Sequence, residues 1–187
     1  MPRIVDYATV RDRMLAGGFV SLYHNSGAFG FARGADWKMR GWIGPEDPTV
    51  RLEARPYILH VDKPYAANLA AHFVAARRRI RGDAWLMPKS HWHFELHDGN
   101  PQLLETLLPQ IGIDPAMLRE RNDGSAISFD ADEEQPLRHA VERLLTELRV
   151  SDFLIAFPDA AAVCTVHHHV QLWWQTTDAH LFALLEV

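Results

Sequence analysis

His91-Trp92-His93-Phe94-Glu95-Leu96 and His167-His168-His169-Val170-Gln171-Leu172 are two stretches spelled almost alike. Each carries histidine at its first and third positions, an apolar residue at the fourth, Glu or Gln at the fifth and Leu at the sixth. At the two-residue period of a strand, Trp92, Phe94 and Leu96 share one face, and His91, His93, Glu95 and His97 share the other. In the second stretch Val166, Val170, Leu172 and Trp174 oppose His167, His169, Gln171 and Trp173. His168 alone falls on the apolar face. Reading both stretches as strands decides the fold.

The flanking sequence repeats the same order twice. Residues 57–61 are apolar and β-compatible, and Asp62 with Pro64 marks a helix start. Tyr65, Leu69, Phe73, Ala76 and Ile80 form one apolar stripe on that helix, and Ala84 to Met87 reads as a strand before the first His-rich stretch. In the second half, Ala126 to Phe129 reads as a strand, and Asp132 and Pro136 mark a helix striped by Leu137, Val141, Leu144, Leu145 and Leu148. Asp152 to Phe157 then forms a strand, Val163 to Trp174 one long strand, and Leu181 to Val187 a last one. The expected fold is α+β: duplicated strand-helix-strand-strand units with an antiparallel-rich sheet. Helices cover one face, and a pseudo-twofold groove lined by the polar stripes lies on the other.

One domain is expected over residues 1–187. Its N-terminal part (1–54) holds a helix from Asp6 to Ala16, stopped by Gly17-Gly18. Strands Phe19 to His24 and Ala28 to Ala32 follow, joined through Asn25-Ser26-Gly27. Gly34 to Pro48 reads as an irregular connection. The first unit is 55–99 and the second 124–187. Between them, 100–123 is a helical linker with a Leu-rich helix from Asn100-Pro101 and a short helical turn at Asp114-Pro115.

This order resembles the paired strand-helix-strand-strand modules of the GyrI-like ligand-binding domains. That resemblance, which is architectural, implies a small organic molecule held between two modules. The paired modules of glyoxalase-type metalloenzymes are similar in outline, and cupins resemble the chain locally through H-x-H. His167-His168-His169-Val170-Gln171-Leu172 is also similar to the H-x-H-x-Q string of nucleotidyl transferases related to histidine-triad proteins. There a histidine attacks a phosphate, but His168 stands here at a position normally apolar.

Composition narrows the function classes. A net charge of −5 argues against nucleic acid as the partner. No apolar run is long enough for a membrane span, and the amino terminus lacks a signal-peptide pattern. The single cysteine, Cys164, fits a cytoplasmic, reducing setting. Six of the 11 histidines and three of the 6 tryptophans fall in or next to the two echoed stretches, so titratable and aromatic groups are concentrated there.

Two histidines at i and i+2 on a strand lie roughly 7 Å apart and can converge on one ion. His91, His93 and Glu95, completed by His167 or His169, make a candidate Zn or Fe site, since two imidazoles and a carboxylate leave positions open for substrate. Tyr23, Trp173, Gln171 and His97 are candidate groove residues for a small organic ligand. The leading expectation is a cytoplasmic small-molecule-binding protein with a His/Trp-lined groove. A metal-dependent enzyme built on the two H-x-H strands is the alternative, and a protein-interaction module with Trp anchors the third. The competing plain reading makes the histidines a hydrogen-bonded strand face. Cys164 reads as an inert core residue, and Arg77, Arg78, Arg79 and Arg81 as the charged end of a helix.

Overall fold

The structure is a computed structural model that describes residues 1–19, 21–25, 28–32, 37–43, 47–50 and 63–185. It opens with β1 (Arg3–Val5) and α1 (Tyr7–Ala16). The Asp6 carboxylate accepts the Thr9 N–H at 3.0 Å and caps α1, and Gly17 closes it, as the sequence predicts. β2 (Ser21–Asn25) and β3 (Ala28–Ala32) form a separate antiparallel pair with Asn25 opposite Ala28. The expected turn residues Ser26 and Gly27 lie outside the described residues, as does the strand expected over 57–61.

The stretch expected to be irregular instead contains β4 (Lys38–Ile43) and β5 (Asp47–Val50). Its partner strand begins at Gln171, and a pairing that remote leaves no trace in local composition. The remaining elements are α2 (Lys63–Arg77), β6 (Ala84–Pro88), α3 (Trp92–Phe94), α4 (Pro101–Gln110), β7 (Ala126–Phe129), α5 (Glu134–Glu147), β8 (Phe153–Phe157), β9 (Ala162–His167), β10 (Gln171–Thr176) and α6 (Ala179–Leu184). Asp178 caps α6 by accepting the His180 and Leu181 N–H groups. The strand expected from Leu181 is therefore a helix as far as Leu184.

Eight strands form one sheet in the order β1-β7-β6-β8-β9-β10-β4-β5, with every described pair antiparallel. The fold is α+β. Side chains alternate between two apolar layers. Leu86, Phe129, Phe153, Ile155, Phe157, Val166 and Trp174 enter one, together with the stripes of α2 and α5. There Phe73 stacks on Trp174 with ring centroids 5.5 Å apart. Trp85, Met87, Ala126, Leu154, Ala156 and Val163 enter the other, beneath Val10 and Met14 of α1. Burial on both faces explains why β6 and β8 are continuous apolar runs instead of alternating ones.

That second layer corrects the expected groove. Across β6, β7, β8 and β9, the face opposite α2 and α5 is largely apolar and packs beneath Val10 and Met14 of α1, with Ser128 and Thr165 among its polar members and His167 alone at its end. The histidines of the two strings sit instead at one end of the sheet: His91, His93 and His97 follow β6, His167 is the last residue of β9, and His168 and His169 lie in the turn after it. No helix among the described residues is long and apolar enough to cross a membrane.

Candidate functional site: two histidine clusters at one end of the sheet

The first His-rich stretch is helical, not extended. His91 has an extended backbone, and its Nδ1 accepts the Phe94 N–H at 3.0 Å, which caps α3. The chain then makes one π-helical turn over Glu95–Gly99, closed by the Asn100 N–H on the Glu95 carbonyl at 2.9 Å. Trp92, Glu95 and Leu96 fall at helical spacing and are 0%, 0% and 2% exposed. A six-residue string with apolar residues at its second, fourth and sixth positions fits both periods, because positions two and six coincide in each. The buried Glu95 beside the half-exposed Phe94 is what distinguishes them.

Glu95 is therefore no metal ligand in this arrangement. One carboxylate oxygen accepts from the Ser90 hydroxyl and from the Ser151 hydroxyl at 2.5 Å, and the other from the Asn100 amide at 2.8 Å. Gly99 gives the carboxylate its room: a Cβ there would meet Glu95 Oε2 at 2.5 Å. The set is a sealed polar knot that ties α3 to the start of α4 and the approach to β8.

The second stretch is a hairpin turn, where one unbroken strand was expected. β9 ends at His167, β10 starts at Gln171, and these two residues face each other. His168, His169 and Val170 make the loop, with the Val170 N–H on the His167 carbonyl at 3.1 Å. Val170 has φ 59°, a left-handed conformation that three-residue hairpin loops normally assign to glycine. Its side chain packs against the core, which holds a β-branched residue in a strained place. With no Gly, Asn, Asp or Pro in the loop, the turn has no conventional signal.

This turn gathers three imidazoles. The ring centroids of His167, His168 and His169 lie 4.1 to 4.8 Å apart, and one nitrogen from each falls within 4.8 Å of the others. Asp152, just ahead of β8, is their anchor. Its Oδ1 accepts from His168 Nδ1 at 2.8 Å and from the His168 N–H at 3.3 Å, and lies 3.8 Å from His167 Nε2. Lys89 approaches the other oxygen at 3.9 Å, and its N–H donates to the Asp152 carbonyl. A carboxylate only accepts, so His168 Nδ1 carries the proton and Nε2 keeps its lone pair. Burial holds His167 down at about 4, against the opposing pull of Asp152. Burial and the neighbouring His168 lower His169 as well. Both rings are thus neutral at pH 7.

A second group lies on and beside the π-helical turn. His93, His97 and Glu120 each offer one ligand atom, all within 4.8 Å of one another. The His93 and His97 rings are 4.3 Å apart.

The five expected metal residues are therefore not one site. His167 and His169 come together, His93 joins His97, and His91 serves as the α3 cap while Glu95 is sealed in its own network. Among the described residues, neither cluster combines ligands from both strings. Of the expected groove residues, Gln171 is buried and accepts from Trp173 Nε1 at 3.0 Å, so these two engage each other. Tyr23 lies in β2 opposite Gly30, and His97 belongs to the second cluster. Among the described residues, surface hollows of about 630 and 710 Å³ are lined by residues around Gly112 and His139, and around Asn100 and Arg143.

Sequence reasoning missed Asp152, His168 and Glu120. His168 did leave a signal, as the one polar residue on an apolar stripe. Asp152 read only as a strand start, and Glu120 as linker. The plainer expectations for two other features agree with the structure. Burial pushes the Cys164 thiol well up, and Arg77 donates to the Ile80 and Gly82 carbonyls at the end of α2.

Comparison with protein-family models, with curated protein sequences and with solved structures gave no match. The functional reading therefore rests on the site itself.

Proposed function

We propose that this protein binds a divalent transition metal ion, zinc first, at the His167-His168-His169 turn, and that the ion's open position takes a small organic molecule or water. The single observation that carries the reading is the convergence of three imidazole nitrogens within 4.8 Å at a partly buried turn. Zinc sites with three histidines leave a fourth position for substrate or a polarised water. A tetrahedral ion with bonds of about 2.0–2.1 Å needs nitrogens about 3.4 Å apart, so the rings close by about 1 Å.

Three features favour occupancy. The depressed affinity of His167 and His169 for protons means that few protons compete with the ion at pH 7. Asp152 on His168 Nδ1 is the carboxylate–histidine pairing that orients a ligand ring and makes its other nitrogen more basic. Val170, strained and packed on the core, holds the loop that presents the rings. One contact has to yield. The His169 N–H donates to His167 Nδ1 at 3.1 Å, which puts the His167 proton on Nε2. Ligation through either nitrogen gives up that bond, at about 1 kcal/mol.

The proposed site is this turn, not a groove between two repeated strands. Elemental analysis and zinc titration of tag-free protein test it. High-affinity zinc binding that His168→Ala and His169→Ala each abolish supports the reading, with His180→Ala, an exposed position of α6, as the unaffected control. Binding indifferent to both substitutions overturns it, and absence of any zinc binding overturns it and returns the metal-free ligand-binding reading to first place.

A further inference from the structure

We infer that His93, His97 and Glu120 form a second, independent divalent-metal site of two imidazoles and one carboxylate. This is the ligand composition the sequence suggested for the first string, with His93 kept and His97 and Glu120 in place of His91 and Glu95. The two histidines are four residues apart, across the junction of α3 and the π-helical turn, and their rings lie 4.3 Å apart. One nitrogen of each and one Glu120 oxygen fall within 4.8 Å of one another. Residues four apart on a helix share one face, which brings the two rings together, and single π-turns inside helices recur at functional sites.

Hydrogen bonding prepares both rings for an ion. His93 Nδ1 faces the Arg119 carbonyl at 3.0 Å, and His97 Nδ1 faces the His93 carbonyl at 2.8 Å. A carbonyl only accepts, so Nδ1 is the donor in both rings and Nε2 is the nitrogen left for a metal. Main-chain carbonyls in this role are the usual orienting partners of metal-bound histidine. The third ligand is positioned by the same contacts. His93 also donates its own N–H to the Arg121 carbonyl at 2.8 Å. The chain is therefore pinned to His93 on both sides of Glu120, at Arg119 and at Arg121. The Glu120 side chain itself is 83% exposed, and its Oε2 lies 4.0 Å from His93 Nδ1. To join an ion held at the two Nε2 atoms it turns away from the Nδ1 side of His93.

Two nitrogens and one oxygen suit zinc, cobalt(II), nickel(II) or iron(II), with positions left for water. The open, exposed setting implies weaker binding than at the His167–His169 turn, where burial excludes competing protons and water. The site shares no ligand with that turn and stands or falls separately.

Zinc titration of tag-free full-length protein, read by calorimetry and by the histidine side-chain resonances, separates the two. Wild-type protein is expected to take two equivalents, and the His168→Ala/His169→Ala double variant one. In that background His97→Ala, at an exposed position, is expected to abolish binding, and Glu120→Gln to weaken it about tenfold or more. The remaining equivalent is expected to shift the His93 and His97 resonances. A double variant that binds no zinc, or binds one equivalent insensitive to His97→Ala and Glu120→Gln, overturns this proposal. A wild-type protein that takes one equivalent, lost in His97→Ala and kept in the double variant, supports it and overturns the reading of the turn.

Discussion

The two His-rich strings share His, His and Leu at the same positions, yet one is a capped helix and the other a hairpin turn. In the first, Trp92, Glu95 and Leu96 go inward and the histidines stay at the surface. In the second, the strand ends at His167, and the next three residues are loop. Six residues do not specify a period. The first string is decided by the His91 cap and by a buried carboxylate with partners waiting for it. The second is decided by β10, which must return along both β9 and β4. The difference also divides the chemistry, since the residue matching Trp92 in the second string is His168, an imidazole held by Asp152 where the first has a core indole.

That correspondence can be broken experimentally, and the largest effect belongs to Trp92. Its ring is fully buried against Phe153 at 5.8 Å, and its Nε1 donates to the Ser125 carbonyl at 2.8 Å. Trp92→Ala is expected to destabilise the fold by about 4 kcal/mol in denaturant unfolding. His168→Ala, at the matching place, is expected to change stability by about 1 kcal/mol or less while removing metal binding at the turn. Equal losses at the two positions would mean that the strings are structural counterparts after all.

Next in size is the fifth position. Glu95→Ala leaves Ser90, Ser151 and Asn100 without their shared acceptor, and about 3 kcal/mol is expected to be lost. Gln171→Ala removes the acceptor of Trp173 Nε1 alone, for about 1 kcal/mol. Paired unfolding curves check the ratio.

The second string also carries a pH signature. His167 binds its proton less readily folded than unfolded, so between about pH 6.5 and its folded value of about 4 the unfolded chain holds more protons. Stability is therefore expected to be full above pH 6.5 and to fall as the pH drops through that window. His167→Gln is expected to flatten the fall. A fall of unchanged size in that variant would assign the effect elsewhere.

Much of the fold was legible because its signals are local. Asp6 and Gly17 bracket α1, the leucines of α5 mark its buried face, and Pro101 starts α4. The histidine segments were legible in composition but not in conformation. In the first, period two and period 3.6 select overlapping residues. In the second, a valine occupies the place of the glycine that announces such a turn. Asp152 and Glu120 reach their clusters only through tertiary pairing, the first beside β9 and the second through main-chain contacts to His93.

The smallest expected effect tests that valine. Val170→Gly relieves the left-handed strain but gives up packing against the core, two opposing effects of about 1 kcal/mol each. Stability is expected to change little, while zinc affinity at the turn drops because the loop is less firmly held. An unchanged affinity would show that the loop's rigidity plays no part.

The central claim is that the second string, as a turn, is a three-imidazole metal centre. X-ray absorption at the zinc edge tests it most directly, on tag-free His97→Ala protein loaded with one equivalent so that only the turn is filled. The account expects three imidazole nitrogens at about 2.0–2.1 Å with one further light atom. A shell lacking imidazole, or no retained zinc, would contradict it.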